Sequence, residues 1–131
     1  LSSLLSQSDI VSLHVPLTTE TKGLISKSEL KLMKKNAILI NAARGGVVKE
    51  FDLASAIESE QIKGAVVDVY SQEPASSDNP LLNISKDAMD RVLYSPHIAG
   101  ITKQSWTELF RQSWSNLSLF FDNKPVNNRH I

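Results

Sequence analysis

The sequence predicts an α/β fold built on a parallel β-sheet, and three observations lead to this prediction. Short apolar runs alternate with segments of helical periodicity, which is the pattern of β–α–β units with right-handed crossovers. The central apolar runs are nearly continuous, as expected of parallel strands that are buried on both faces. An apolar stripe with three- and four-residue steps then predicts a long helix near the end of the chain.

Four strands are predicted, in the ranges 9–15, 37–42, 64–69 and 92–94. Pro16 closes the first of them because proline cannot donate a hydrogen bond to a sheet ladder. A helix is predicted from Ser26 to about residue 34. Ser26 and Glu29 form a capping box, and Ile25 and Leu30 have the spacing of a hydrophobic staple.

Two further helices and one loop complete the predicted organisation. Leu53, Ala54 and Ile57 mark the apolar face of the second helix. The residues of the stripe on the last helix are Trp106, Leu109, Phe110, Trp114, Leu117, Phe120 and Phe121. We interpret this stripe as core packing rather than as a ligand platform. The segment 71–91 is predicted to be one long loop, with residues 80–82 as an apolar anchor.

Composition excludes several classes of function. The 131 residues suffice for one domain, and a net charge of zero gives no electrostatic signature of nucleic-acid or anionic-membrane binding. The absence of cysteine removes disulfides and thiolate ligands. The three histidines lack ligand spacing, so we expect no metal site. No apolar run reaches the roughly 18 residues of a membrane span, and we expect a cytoplasmic protein. The chain begins at Leu1 in a helix-like segment, so we expect a fragment of a longer protein.

Polar side chains follow each predicted strand. Ligands of open α/β sheets bind beyond the carboxyl ends of the strands. The residues that the strands bring to this rim are His14 at the end of the first, Asn41 and Arg44 at the end of the second, Asp68 and then Glu73 at the end of the third, and His97 beyond the fourth. Residue by residue, other interpretations stay open: Arg44 as a turn arginine, His97 as a structural loop histidine, Glu73 as a solvated acid and His14 as a strand end. His130 is expected to be solvated.

Four motifs occur in fixed order, in the ranges 12–18, 40–48, 64–74 and 95–100. They read S-L-H-V-P-L-T, I-N-A-A-R-G-G-V-V, G-A-V-V-D-V-Y followed by E-P, and S-P-H-I-A-G. Together they resemble the D-isomer-specific 2-hydroxyacid dehydrogenases, the family of phosphoglycerate dehydrogenase and glyoxylate or hydroxypyruvate reductase. The resemblance implies the C-terminal half of a Rossmann-type, doubly wound parallel sheet that ends in a long helix. It covers nearly the whole chain.

The resemblance also implies roles for individual residues. Arg44 would bind the carboxylate of a small 2-oxo acid, His97 would donate the proton as hydride arrives from NADH or NADPH, and Glu73 would orient His97. Asp68 would hydrogen-bond the nicotinamide carboxamide. The residues implied in cofactor binding are His14, Pro16, Ala43, Arg44, Asp68, His97 and Gly100. The protein would be a homodimer.

Two departures from the family pattern qualify these roles. Lys49 stands where the family usually has aspartate, and we expect little effect on the chemistry. No G-x-G-x-x-G occurs in the sequence, and the resemblance places this motif upstream of Leu1. We therefore expect the 131-residue chain alone to bind cofactor weakly and to show no turnover. The choice between NAD and NADP stays open. Two alternatives remain: a non-catalytic, NAD-sensing protein of corepressor type with the same fold, and a flavodoxin-like binding domain.

Overall fold

The computed structural model describes residues 1–128, so His130 lies outside the described residues. The chain divides into two compact units, Leu1–Ile98 and Ala99–Ile131. The elements of the first unit are α1 (Ser2–Gln7), β1 (Ile10–Leu13), α2 (Lys27–Leu32), β2 (Ile38–Asn41), α3 (Glu50–Glu58), β3 (Gly64–Val67), a 3₁₀ turn (Pro80–Leu82), α4 (Lys86–Met89) and β4 (Val92–Tyr94). The second unit contains α5 (Lys103–Phe121).

The sheet is four-stranded and entirely parallel, with the order β1-β2-β3-β4. Its register pairs Ile10 with Ile38 and Ile38 with Gly64, while Ala65 pairs with Val92. All four strands therefore end at the same edge, which is where the sequence predicts the functional side chains. The predicted alternation of strands and helices is confirmed.

The start of α2 follows its sequence signals. The Ser26 amide donates to Glu29 Oε2 at 3.1 Å, which completes the capping box. Ile25 and Leu30 are both buried, in agreement with the predicted staple. Asp52 of α3 accepts a hydrogen bond from the Lys27 amide, so a second helix satisfies another free donor of this helix start.

The segment 71–91 is not one long loop, and this prediction is corrected. Asn79 Oδ1 accepts from the Leu81 amide at the start of the 3₁₀ turn, and Ser85 Oγ accepts from the Ala88 amide at the start of α4. These caps stabilise elements too short to show a periodic pattern. Leu81 is buried, as predicted for the anchor.

The last helix is present as predicted, with Thr102 and Ser105 forming a capping box at its start. No residue of α5 is buried, so the interpretation of its apolar stripe as core packing is wrong. A periodic pattern predicts the helix and its apolar face but not what covers that face. Neither α5 nor any other helix in the described part of the chain is long and apolar enough to cross a membrane.

Candidate functional site

Glu73 and His97 form a hydrogen-bonded pair beyond the ends of β3 and β4. His97 Nδ1 lies 2.7 Å from Glu73 Oε2, and the Tyr70 amide donates to Glu73 Oε1 at 3.0 Å. The hydrogen bond from His97, and after it that from the Tyr70 amide, lowers the pKa of Glu73 below its ordinary value. The ionised carboxylate only accepts, so Nδ1 carries the proton of this bond.

The other ring nitrogen of His97 is available to a ligand. Among residues 1–128, none is hydrogen-bonded to Nε2. The side chain is 45% exposed, and that of Glu73 is 36% exposed. An imidazole that is oriented through Nδ1 and open at Nε2 can give or take a proton at neutral pH.

Asp68 fixes the segment that carries His97. The residue is only 2% exposed, and its Oδ1 accepts from Ser95 Oγ at 2.6 Å and from the Ile98 amide at 2.9 Å. Its own amide donates to the carbonyl of Asn41 at 3.0 Å. Because Ser95 and Ile98 lie on either side of His97 in the chain, the buried carboxylate restrains the backbone on both sides of the imidazole.

Arg44 is positioned by a local turn after β2. Asn41 Oδ1 accepts from the Ala43 amide at 3.3 Å, and Asn41 Nδ2 donates to the Arg44 carbonyl at 3.4 Å. Asparagine commonly stabilises a turn in this way. The guanidinium donates to the Ala43 carbonyl at 2.6 Å through Nη1. The ion pairs within residues 1–128 do not include Arg44, which leaves its charge available for an anion.

Glycine is favoured at the two positions after Arg44 for different structural reasons. A β-carbon on Gly45 would lie 1.8 Å from the Tyr70 carbonyl oxygen and 2.7 Å from the Ser71 nitrogen. Gly46 has a φ of 81°, a left-handed conformation that favours glycine. At Gly45 the close neighbour is therefore the chain's own backbone.

Two cavities lie at this edge of the first unit. The His97 cavity, of about 480 Å³, is lined by Tyr70, Glu73, Pro74, Ala75, Leu82, Tyr94, Ser95, Pro96 and His97. The Arg44 cavity, of about 330 Å³, is lined by His14, Val15, Pro16, Ala42, Ala43 and Arg44.

The structure thus distributes the predicted site residues over two neighbouring groups. Glu73 and His97 are in contact, whereas Arg44 lines the other cavity together with the predicted cofactor residues His14, Pro16 and Ala43. His14 Nε2 lies 2.8 Å from Ser12 Oγ. Asp68 is buried behind the rim, and Gly100 belongs to the second unit.

The lining of the Arg44 cavity is compatible with part of an anionic dinucleotide. It lies beyond the carboxyl ends of β1 and β2, where open α/β sheets bind nucleotides. Its lining residues carry no carboxylate, and one of them is a cation, so a phosphate-bearing ligand meets no repulsion there. Within the described range 1–128, no group of three or more metal-ligating side chains could hold a metal ion.

Sequence reasoning missed two residues that shape the site. The Tyr70 amide holds Glu73, and Glu50 Oε1 accepts from the Ser71 amide at 2.7 Å. The contact of Glu50 joins residues 21 positions apart, and no local pattern indicates such a contact. A glutamate in the first turn of a helix carries only the general signal of helix-dipole stabilisation.

Comparison with known proteins identifies the family. Residues 1–99 match the family described as D-isomer specific 2-hydroxyacid dehydrogenase, NAD binding domain. The chain is 46% identical over 127 residues to a dehydrogenase of Hormonema carpetanum, covering 96% of this chain and 30% of that protein. It is 41% identical over 127 residues to a glycerate dehydrogenase of Methylorubrum extorquens, covering 97% and 40% respectively.

A solved structure shows the same architecture. The D-isomer specific 2-hydroxyacid dehydrogenase of Xanthobacter autotrophicus, in complex with NADPH and MES, superposes with a TM-score of 0.82 at 34% identity. The match covers all of this chain and 51% of that one. The chain thus spans about a third of the length of the two curated relatives, at 30% and 40% of their residues. The predicted fold class and the family resemblance are both confirmed.

Proposed function

Because the chain belongs to the D-isomer specific 2-hydroxyacid dehydrogenase family, we propose that it is the catalytic part of an oxidoreductase. The reaction is hydride transfer between NADH or NADPH and a small 2-oxo acid, which becomes a D-2-hydroxy acid. The observation that carries the proposal is the 2.7 Å contact between Glu73 and His97, at the same edge of the sheet as an arginine with no carboxylate partner among the described residues.

His97 is the proposed acid–base catalyst. In the reducing direction its Nε2 donates a proton to the carbonyl oxygen while the 2-carbon accepts hydride, and in the oxidising direction it removes the hydroxyl proton. Glu73 fixes the ring orientation through Nδ1 and stabilises the charged imidazole. When bound, the nicotinamide cofactor supplies or accepts the hydride.

Arg44 is the proposed substrate-binding cation. A guanidinium can hold a carboxylate through two parallel hydrogen bonds, and it also stabilises negative charge that develops on the neighbouring carbonyl oxygen. The local turn made by Asn41 fixes the backbone from which this side chain extends.

The proposed cofactor site centres on the Arg44 cavity. His14, Pro16, Ala43 and Arg44 line this cavity, and the family resemblance adds His97 as a proposed contact of the nicotinamide. Asp68 and Gly100 remain proposed contacts on the basis of the family resemblance. The contacts of Asp68 support an additional role, since they hold the backbone on both sides of His97. The relatives' cofactors leave both NAD and NADP as candidates.

The proposed domain assignment is a partial NAD(P)-binding domain over residues 1–131. In a doubly wound sheet the nucleotide lies where the strand order reverses. The order β1-β2-β3-β4 contains no reversal, and the Arg44 cavity lies at the end of edge strand β1. A further set of strands beside β1 would complete the nucleotide site. A cytoplasmic homodimer acting on a small acid is also part of the proposal.

An activity assay on the complete polypeptide that contains this chain tests the proposal. NADH or NADPH consumption is followed with a panel of 2-oxo acids, and the reverse reaction is followed with paired D- and L-2-hydroxy acids. We expect turnover with at least one 2-oxo acid, and oxidation of the D-isomer only. The 131-residue chain alone is the matched comparison, for which we expect no turnover and weak cofactor binding.

Two results would contradict the proposal. Absence of turnover with every acid, combined with tight binding of the dinucleotide, would favour the non-catalytic alternative, for which the matched relatives offer no support. Equal oxidation of both isomers would contradict the assignment of stereochemistry. Sedimentation of the complete protein tests the proposed homodimer.

A further inference from the structure

Glu50 is the first residue of α3, and its side chain accepts a hydrogen bond from the backbone of a distant loop. Its Oε1 accepts a hydrogen bond from the Ser71 amide at 2.7 Å. The side chain is half-buried, and the N-terminal end of a helix favours a negative charge. None of the roles proposed above uses this carboxylate.

The loop that Glu50 holds is the one that carries Glu73. The peptide group between Tyr70 and Ser71 packs against Gly45, where a β-carbon would lie 1.8 Å from its oxygen. The amide just before this peptide group, that of Tyr70, donates to Glu73 Oε1. Glu73 Oε2 in turn contacts His97 Nδ1 at 2.7 Å.

We propose that Glu50 is a positioning residue, which orients His97 by fixing the 70–71 peptide group against Gly45 and, through it, the carboxylate of Glu73. The inference rests on the proposed function for its catalytic meaning but not for its geometry. Four contacts carry it in sequence: Glu50 to the Ser71 amide, that peptide group to Gly45, the Tyr70 amide to Glu73, and Glu73 to His97.

The chain offers a matched control at the other end of the same helix. Glu58 also accepts from a loop amide, that of Ser85, and from Ser85 Oγ at 2.9 Å. The hydrogen bonds from Ser85 lower the pKa of Glu58 below its ordinary value. Ser85 makes no contact with Glu73 or His97 within the described residues. Substitution of either glutamate would therefore cause a general loss of stability. Only substitution of Glu50 would disturb the position of Glu73.

The test is an NMR titration of isotopically labelled glutamate carboxyl groups in the 131-residue chain, with amide exchange as a second readout. In Glu50→Ala we expect the pKa of Glu73 to rise towards its ordinary value, because the Tyr70 amide donor is displaced. We expect amide exchange at Ser71 to become about tenfold faster. Glu50→Gln, which keeps an acceptor oxygen, should restore most of the wild-type behaviour. Glu58→Ala should leave both readouts at Glu73 and Ser71 unchanged.

Unchanged Glu73 titration in Glu50→Ala overturns the inference, and so does an equal change in Glu58→Ala. If Glu50→Ala does not fold, Glu50→Asp takes its place, since it keeps the charge but withdraws the carboxylate by one methylene. The outcomes stated for Glu50→Ala then apply to Glu50→Asp. Neither readout requires turnover, so a failed titration test is distinguishable from a failure of the proposed dehydrogenase activity.

Discussion

The Tyr70 carbonyl oxygen packs against Gly45, so the turn after β2 and the loop after β3 are in direct backbone contact. A β-carbon on residue 45 would lie 1.8 Å from that oxygen. Arg44 is the neighbour of Gly45, and Glu73 accepts from the Tyr70 amide. The proposed substrate cation and the proposed acid–base pair are therefore attached to two backbone segments that touch.

Substitution of Gly45 should disturb both the fold and the site. For Gly45→Ala we expect a loss of about 1–3 kcal/mol in the free energy of unfolding, since backbone has to move to admit the methyl group. Urea denaturation measures this loss, and the Glu73 titration should change with it. Gly46→Ala is the matched control. Its β-carbon would meet only the Leu17 side chain at 3.6 Å, so it should lose stability through its φ of 81° but leave Glu73 unaffected.

Replacement of His97 should remove proton transfer and spare cofactor binding. In the complete protein we expect His97→Ala to lower kcat by roughly 10²–10⁴-fold. The dissociation constant for NADH or NADPH should change by no more than about twofold, a difference that is small on the scale of binding free energies. Steady-state kinetics and calorimetric titration give the two quantities. Wild-type kcat in this variant would show that another group transfers the proton.

The ionised form of Glu73 should stabilise the fold, with a defined dependence on pH. Its pKa lies below the ordinary value of 4.5, chiefly because of the hydrogen bond from His97. The stabilisation is therefore complete above that ordinary value, and it is lost as the pH falls through the lowered pKa of the folded state. Urea denaturation over a pH series should show wild type more stable than Glu73→Gln near neutrality, with the difference shrinking in acid. Glu60→Gln is the exposed control, and an equal pH dependence there would contradict this attribution.

Arg44 should act mainly on the 2-oxo acid. We expect Arg44→Ala to lower kcat/KM by roughly 10²–10³-fold, because charge on the carboxylate and on the carbonyl oxygen loses its partner. The kcat/KM of Arg44→Lys should lie between those of wild type and Arg44→Ala, since lysine keeps the charge but lacks the planar pair of donors. Arg111→Ala, which removes an exposed arginine paired with Glu108, is the control. A wild-type kcat/KM in Arg44→Ala would mean that another residue binds the substrate carboxylate.

Most of the fold could be predicted because its signals are local. The capping box of Ser26 and Glu29 marks the start of α2, and the continuous apolar runs mark β2 and β3. The four-residue α4 could not be predicted in this way, since it is barely longer than one helical turn and depends on the Ser85 cap. The prediction that the α5 stripe packs in the core was wrong, because periodicity does not specify which surface covers an apolar face.

The position of the candidate residues at strand ends was predictable from the sequence, but the contacts that support them were not. Arg44, Glu73 and His97 stand in short motifs at strand ends, and the parallel sheet explains why all three lie at the same edge. The supporting contacts, Glu50 with Ser71 and Asp68 with Ile98, join residues 21 and 30 positions apart. Such contacts depend on the exact path of two loops, which no sequence pattern describes.

The backbone of His97 restricts which substitutions the site can accumulate. Its φ is 56°, a left-handed conformation that β-branched residues tolerate poorly and that asparagine, aspartate and glycine tolerate well. A saturation library at this position should therefore separate folding from chemistry. Asparagine and glycine should survive a selection for folding alone, whereas valine and isoleucine should fail it. Substitutions of His97 that keep the fold should therefore come mainly from the small set of residues that tolerate a left-handed backbone.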